Sequence, residues 1–326
     1  MSKYIKSCGI LLFLATFLFA EGAQNGAVPG PENQKASYDS SSSAPSFRDI
    51  NLDYRSEDPF ADTAQHFSPL RFTGVASLTA GAFGAAYILV FEKGWWDNES
   101  SHFHFENDFE YAKNLDKAGH FFAGVLFSEG FYQGYYWAGL SELQSYIFAG
   151  ISASLTHVAI DVKDGFAPEW GFSIFDVLSG STGGWYPMAK RYIPAFNYFD
   201  VKWSYWINSR AYYRQSDTGV FTDDYCNETF WLSLKIHRML PRRARPYWPE
   251  WLALAGGWSI DEGVFEGKKG KYEFYIALDY DMEGIFKPKE RWARNLVRFA
   301  NYFKLPAPTI QVYPETKFFL LYPIKF

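Results

Sequence analysis

Between Arg71 and Glu92 the chain carries a run without a single charge, Phe72 to Phe91, rich in Gly and Ala. Coiled as a helix, about 20 residues rise about 30 Å, the depth of a bilayer's hydrocarbon core. Trp95 and Trp96, just beyond Glu92 and Lys93, suit the headgroup zone. The run therefore reads as a transmembrane helix, with a buried helix of a soluble bundle as the competing reading. Three further apolar stretches with helical patterning follow: Lys117 to Leu140, Glu142 to about Asp161, and Ile174 to about Arg191. Glu129 and Gln133 mark a polar stripe on the first and His157 on the second. In a membrane such groups must face neighbouring helices or a wet cavity. Gly130 and Gly134 form a GxxxG spacing that permits close helix contact. The expectation is a helical membrane domain of about four helices over residues 69–194.

Composition limits how far this extends. Aromatic residues make up 21% of the 326-residue chain, with Phe 32, Tyr 23 and Trp 12. The mean hydropathy is nevertheless −0.22, which excludes a protein built mainly of transmembrane helices. The net charge of −5 carries no basic surplus of the kind a general nucleic-acid binder needs, so no nucleic-acid partner is expected. Arg242, Arg243 and Arg245 form a short cluster between Pro241 and Pro246, read as a solvated turn or an anion contact.

Lys3 and Lys6 precede the apolar run Ile10 to Ala20, and small residues at Ala20, Gly22 and Ala23 offer cleavage points. That is the layout of a secretory signal, here 1–23, with an uncleaved anchor as the alternative. Residues 24–68, rich in Gly, Pro and Ser, read as a disordered linker. Cys8 falls inside the signal, so a cleaved chain keeps Cys226 alone and forms no intrachain disulfide.

After about Pro194 the periodicity changes. Residues 198–207, 229–237, 272–281 and 317–326 alternate as strands, with Phe230, Leu232, Leu234 and Ile236 on one face. Lys289 to Phe303 reads as an amphipathic helix. The region 195–326 is expected to be α+β with antiparallel strands, lying against the membrane surface. Phe318, Leu320, Tyr322, Ile324 and Phe326 resemble the ending of bacterial outer-membrane β-proteins. Only five or six strands are visible, however, short of the eight of the smallest single-chain barrel, and Pro323 interrupts the last.

The densest polar constellation runs from His102 to Asp176. His102, His104, Glu106 and Asp108 share one face of an extended segment and form a candidate metal set; a loop anchored by its Phe residues is the plainer reading. Asp116 is placed to cap a helix start, with Lys117 beside it and His120 one turn on. His157, Asp161 and Asp164 stand at i, i+4 and i+7. Ser173 and Asp176 have capping-box spacing.

The order Phe103-His104-Phe105, Asp108, Glu110-Tyr111, Asp116-Lys117, Gly119-His120, then Asp164-Gly165-Phe166, Trp170-Gly171-Phe172-Ser173, Asp176 and Gly183 resembles the uncharacterised bacterial envelope family DUF2279, or YfiM-like, over roughly residues 85–190. The same skeleton more loosely resembles the VanZ-like membrane proteins. That likeness implies a compact four-helix membrane domain, and VanZ itself is associated with glycopeptide resistance by an undefined mechanism. Asp161 stands where the pattern usually has Glu, and Gly180 where it has Asn. Segments 227–233, 275–281 and 305–309 resemble the C-terminal extension of longer DUF2279 members, which has no assigned role.

The functional expectation is an exported cell-envelope membrane protein that binds lipid or another envelope protein without catalysis and without a cofactor. Asp116, Lys117, His120, His157, Asp161, Asp164 and Asp176 would then stabilise helix ends. The alternative is a membrane-embedded enzyme acting on a lipid-linked envelope substrate, with His120 or His157 as general base. No GxSxG motif supplies a nucleophile. Either way the C-terminal region is expected outside the cytoplasm, with the inner or outer membrane left open.

Overall fold

The computed structural model describes residues 66–86, 101–207, 224–265 and 268–324. The expected signal peptide, nearly all of the linker, Trp95, Trp96 and the terminal Phe326 lie outside the described residues. Seven α-helices and six strands are described. The helices are α1 (Pro69–Ala86), α2 (Leu115–Trp137), α3 (Glu142–Asp164), α4 (Ile174–Tyr192), α5 (Ile236–Met239), α6 (Met282–Ile285) and α7 (Arg291–Ala300). The strands are β1 (Phe199–Tyr205), β2 (Glu228–Leu234), β3 (Leu252–Ile260), β4 (Tyr272–Tyr280), β5 (Ala307–Tyr313) and β6 (Lys317–Tyr322). The fold is mixed, helical first and then antiparallel, as the patterning implies.

Each long helix starts for a local reason. Ser141 accepts from the Gln144 amide while Gln144 reaches back to the Ser141 amide, a full capping box that opens α3. Ser173 opens α4 by accepting from the Asp176 amide, but the Asp176 carboxylate turns away from the return bond. The expected capping box is thus half formed, because Asp176 is drawn to an ammonium group instead. Asp116 does not cap α2 either: Asn114 holds the cap position at φ 63° and Asp116 sits in the first turn.

Helices α2, α3 and α4 pack on one another, and α2 meets α4 through glycine. A Cβ on Gly124 would lie 2.1 Å from the Gly180 carbonyl oxygen, and one on Gly183 would lie 1.9 Å from that of Phe121. Contacts this close require glycine at the approaching position, since a Cβ there would enter the facing backbone. Gly134, of the expected GxxxG pair, makes room for Val75 of α1 instead.

Helix α3 leaves Phe148, Ile151, Leu155, Val158 and Val162 exposed along one face. Among the described residues α3 alone is long and apolar enough to cross a membrane, with a mean hydropathy of 1.2 over its best window. The helix that holds the start of the span expected at Phe72 to Phe91 is described from Pro69 to Ala86, and those 18 residues, which include Pro69, Arg71 and many small residues, fall short of the same criterion; residues 87–91 lie outside the described residues.

The strands form one antiparallel meander in sequence order. Val201, Leu232, Gly256, Ile276, Ile310 and Phe318 lie in one cross-strand row, and Lys202, Trp231, Gly257, Tyr275 and Gln311 in the next. Because side chains alternate across a sheet, the two rows point to opposite faces. The sheet curls so far that non-adjacent strands touch on the inner face. Lys202 of β1 pairs with Asp279 of β4 at 2.9 Å, and Thr229 of β2 bonds Tyr322 of β6 at 2.6 Å. The free edge of β1 is met by residues 302–304, where Trp203 donates to the Tyr302 carbonyl and accepts from the Lys304 amide.

Bundle and sheet share a core. Phe122 of α2 packs among Trp203, Phe230, Tyr302 and Phe303. The polar stripe of α2 finds its partners here: Tyr302 donates to Glu129 at 2.6 Å and Asn295 to Gln133 at 2.9 Å. The α2–α4 contact yields a direct test. Gly124→Ala drives a methyl into backbone and should cost about 1–3 kcal/mol of stability. Gly256→Ala, whose Cβ meets nothing within 4 Å, should leave the unfolding midpoint nearly unchanged. Thermal unfolding of both purified variants measures the contrast.

Candidate functional site

The polar residues gather where the start of α2, the end of α3, the start of α4 and the 101–110 segment meet. That segment is zipped to the α3–α4 connection by backbone bonds: His104 donates to Gly165, Phe172 to His104, and Glu106 to Phe172. Its chain then passes through Glu110, Ala112, Lys113 and Asn114, all at positive φ, before α2 begins. Such conformations are costly outside glycine and persist where surrounding contacts enforce them. The Glu110 amide donates to the Asn114 side chain across this stretch, and Asp108 and Asp116 on either side of it are both tied to Lys117.

The Lys117 ammonium lies 2.5 Å from Asp108, 2.6 Å from Asp116 and 2.7 Å from Asp176. One cation thus joins the incoming segment, α2 and α4. Ser173 donates to Asp108 at 2.5 Å, Tyr225 donates to Asp116 at 2.6 Å, and Ser179 donates to the Lys117 carbonyl at 2.5 Å. Burial pushes the Asp108 carboxyl up, yet its hydrogen bonds with Asp176, Lys117 and Ser173 hold it below the usual carboxylate range.

His120 borders this cluster, its Nε2 3.6 Å from Asp116 and 3.5 Å from Asp176. Its ring meets that of His157 edge-on, with centroids 5.8 Å apart. His157 is buried and its Nδ1 lies 3.0 Å from the Ala153 carbonyl oxygen. A Cβ on Gly180 would fall 2.0 Å from the His157 ring, so the absence of a side chain at 180 is what leaves space for the imidazole. Asp161 takes the Ser173 amide at 3.3 Å, and its second oxygen is buried without a hydrogen-bond partner among the described residues. Asp164 closes α3, its backbone carbonyl accepting from Ala167 and Gly171.

The expected set His102, His104, Glu106 and Asp108 is not assembled as a metal site. Both ring nitrogens of His104 face backbone carbonyls, those of His102 and Trp170, at 3.2 Å each, and Asp108 is committed to Lys117 and Ser173. Asp116, His120 and Asp176 do bring one potential ligand atom each within 4.8 Å of one another. The Lys117 ammonium, however, already lies against both of those carboxylates. Chemically, the arrangement offers an imidazole flanked by two carboxyl groups beside a cluster of one ammonium and three acidic side chains, suited to holding or passing a proton. Tyr225 and Ser179 escape any sequence reading, since they join the cluster from distant segments with no local pattern.

No protein-family description, curated protein or solved structure matches the chain.

Removing the cation should expose the cluster's dependence on it. Lys117→Met leaves three close carboxylates without their partner and should destabilise the fold by about 3–5 kcal/mol in detergent-solubilised protein. The Asp108 contribution has a defined pH dependence. Its folded pKa lies below the ordinary 3.8, so the stabilisation is complete above that value and is lost as pH falls through the folded value. Unfolding midpoints measured on acidification should drop less steeply in Asp108→Asn than in the unmodified chain.

Proposed function

We propose that this chain is an exported cell-envelope membrane protein that binds lipid through its helical bundle, without catalysis. In this reading the Lys117 cluster clamps the helix ends together. The observation that carries it is the apolar face of α3, where Phe148, Ile151, Leu155, Val158 and Val162 stand at helical spacing, exposed among the described residues. Large exposed apolar faces mark membrane or partner contacts. The signal-like N-terminus and the DUF2279 and VanZ-like resemblances support the same placement, with the C-terminal region outside the cytoplasm.

A second reading is favoured by one specific contact. His120, between Asp116 and Asp176 and against His157, has the surroundings of a general base acting on a lipid-linked envelope substrate.

The two readings part under substitution. His120→Ala and Asp176→Asn should lower the unfolding midpoint if the cluster is a clamp. They should leave it unchanged and abolish turnover of a lipid-linked envelope precursor if it is a catalytic site. Integral placement has its own check: the mature chain should stay with the membrane pellet through a carbonate wash, and release into the supernatant overturns it.

A further inference from the structure

The sheet is inside out relative to a soluble one. A water-soluble antiparallel sheet turns its apolar face to a core and its polar face to water. Here the inner face buries Asp200, Lys202, Ser233, Asp279, Thr309 and Gln311, all at 2% exposure or less. The outer row beside them is Val201, Leu232, Gly256, Ile276, Ile310 and Phe318. A second outer row runs through Phe199, Leu234, Leu254 and Leu278. The bundle covers part of this face through the Phe122 contacts with Trp203 and Phe230. Among the described residues the remainder is uncovered: Ile276 is 56% exposed and Phe318 67%.

The buried charges show that the inversion is built. Lys202 is held by Asp279, the Tyr280 carbonyl and Asn301. Ser233 donates to the same Asp279 at 2.6 Å. This charged network lies on the inner face beside a buried aromatic cluster of Trp231, Tyr275 and Tyr322, so that face is already filled from within.

We propose that the outward face of this sheet is a lipid-contacting wall, set among the acyl chains of a bilayer with its polar face turned inward. Three features select acyl chains over a protein surface. Neither outer row carries a charge on any strand. The bare part runs across five strands, β2 to β6, on a strongly curved surface, which a single partner would have to wrap. Aromatic residues stand at both ends of the longest strands: Tyr272 stacked on Phe274 and Phe274 against Tyr313 at one end, Trp251 stacked on Tyr280 at the other. Strands β3 and β4 have nine residues each, the length that crosses a hydrocarbon core when tilted. Apolar outside, polar inside and aromatic at the rims is the pattern of a transmembrane β-wall. At the β1 edge Trp203 donates its amide to Tyr302 and accepts from Lys304, so the backbone groups of that residue are satisfied without water.

This inference deepens the proposed lipid contact and rests on it only for the presence of a bilayer. Full-length protein with Cys8→Ser and Cys226→Ser as background is reconstituted in phosphatidylethanolamine and phosphatidylglycerol vesicles. Single cysteines carry a nitroxide at Leu232, Ser233, Ile276, Ala277, Ile310 and Gln311, and at Ile151 and Leu155 of α3. Oxygen, which enters lipid, and a water-soluble nickel chelate report the surroundings of each label. High oxygen and low chelate accessibility at Leu232, Ile276 and Ile310, alternating with low oxygen accessibility at their neighbours, is the expected result. Protection from both reagents at the outward positions means a second copy or another segment covers the wall, and high chelate accessibility means water does; either overturns the inference. Lipid exposure at Ile151 and Leu155 alone would overturn it while leaving the proposed function standing, and its loss at all sites would overturn both. A label that disturbs folding is controlled by Ile276→Lys, which should lower vesicle partitioning by about tenfold or more. Lys317→Ala, at the exposed strand end, should change it less than about twofold.

Discussion

The Lys117 ammonium is the point at which the architecture is joined. Its three carboxylates come from three separate pieces of chain, the incoming 101–110 segment, the first turn of α2 and the first turn of α4. A buried cation with that many partners is expensive to remove, because its loss leaves close carboxylates without compensation. This accounts for the positive φ values between Glu110 and Asn114, a backbone path that local preferences would not select. It also decides the fate of Asp116 and Asp176. Both stand where helix-capping chemistry would use them, and both are taken by the stronger demand of the ammonium.

From there the bundle is coupled to the sheet by polar bonds set within aromatic packing. Tyr225, just before β2, reaches Asp116, while Tyr302 and Asn295 reach Glu129 and Gln133 on α2. Helix α2 is therefore polar at intervals on nearly every side and has little exposed surface of its own. Its neighbours carry the outward apolar residues, on α3 and on the curved sheet.

Much of this was legible in the sequence. Residues at 3.6 spacing located α2, α3 and α4 to within a few positions, and alternation located β1, β2, β4 and β6. Strands β3 and β5 escaped for a physical reason. In Leu252-Ala253-Leu254-Ala255-Gly256-Gly257 both faces are apolar or small, so burial leaves no alternation to see, and β5 opens with Ala307 and Pro308. Ile236 continued the strand pattern in sequence but begins α5, and the last strand ends at Tyr322, before Pro323. The polarity of the sheet was also hidden, since alternation announces two faces without saying which one is inside. For the polar cluster, the residue types were readable, while the choice between cap and ion pair depended on contacts between distant segments.

The room that Gly180 leaves for the His157 ring has an evolutionary corollary. Positions 157 and 180 lie on different helices and compete for one volume, so neither can drift freely. Any side chain at 180 requires a smaller residue at 157, and an imidazole at 157 persists only while 180 stays bare, so the two positions are constrained as one.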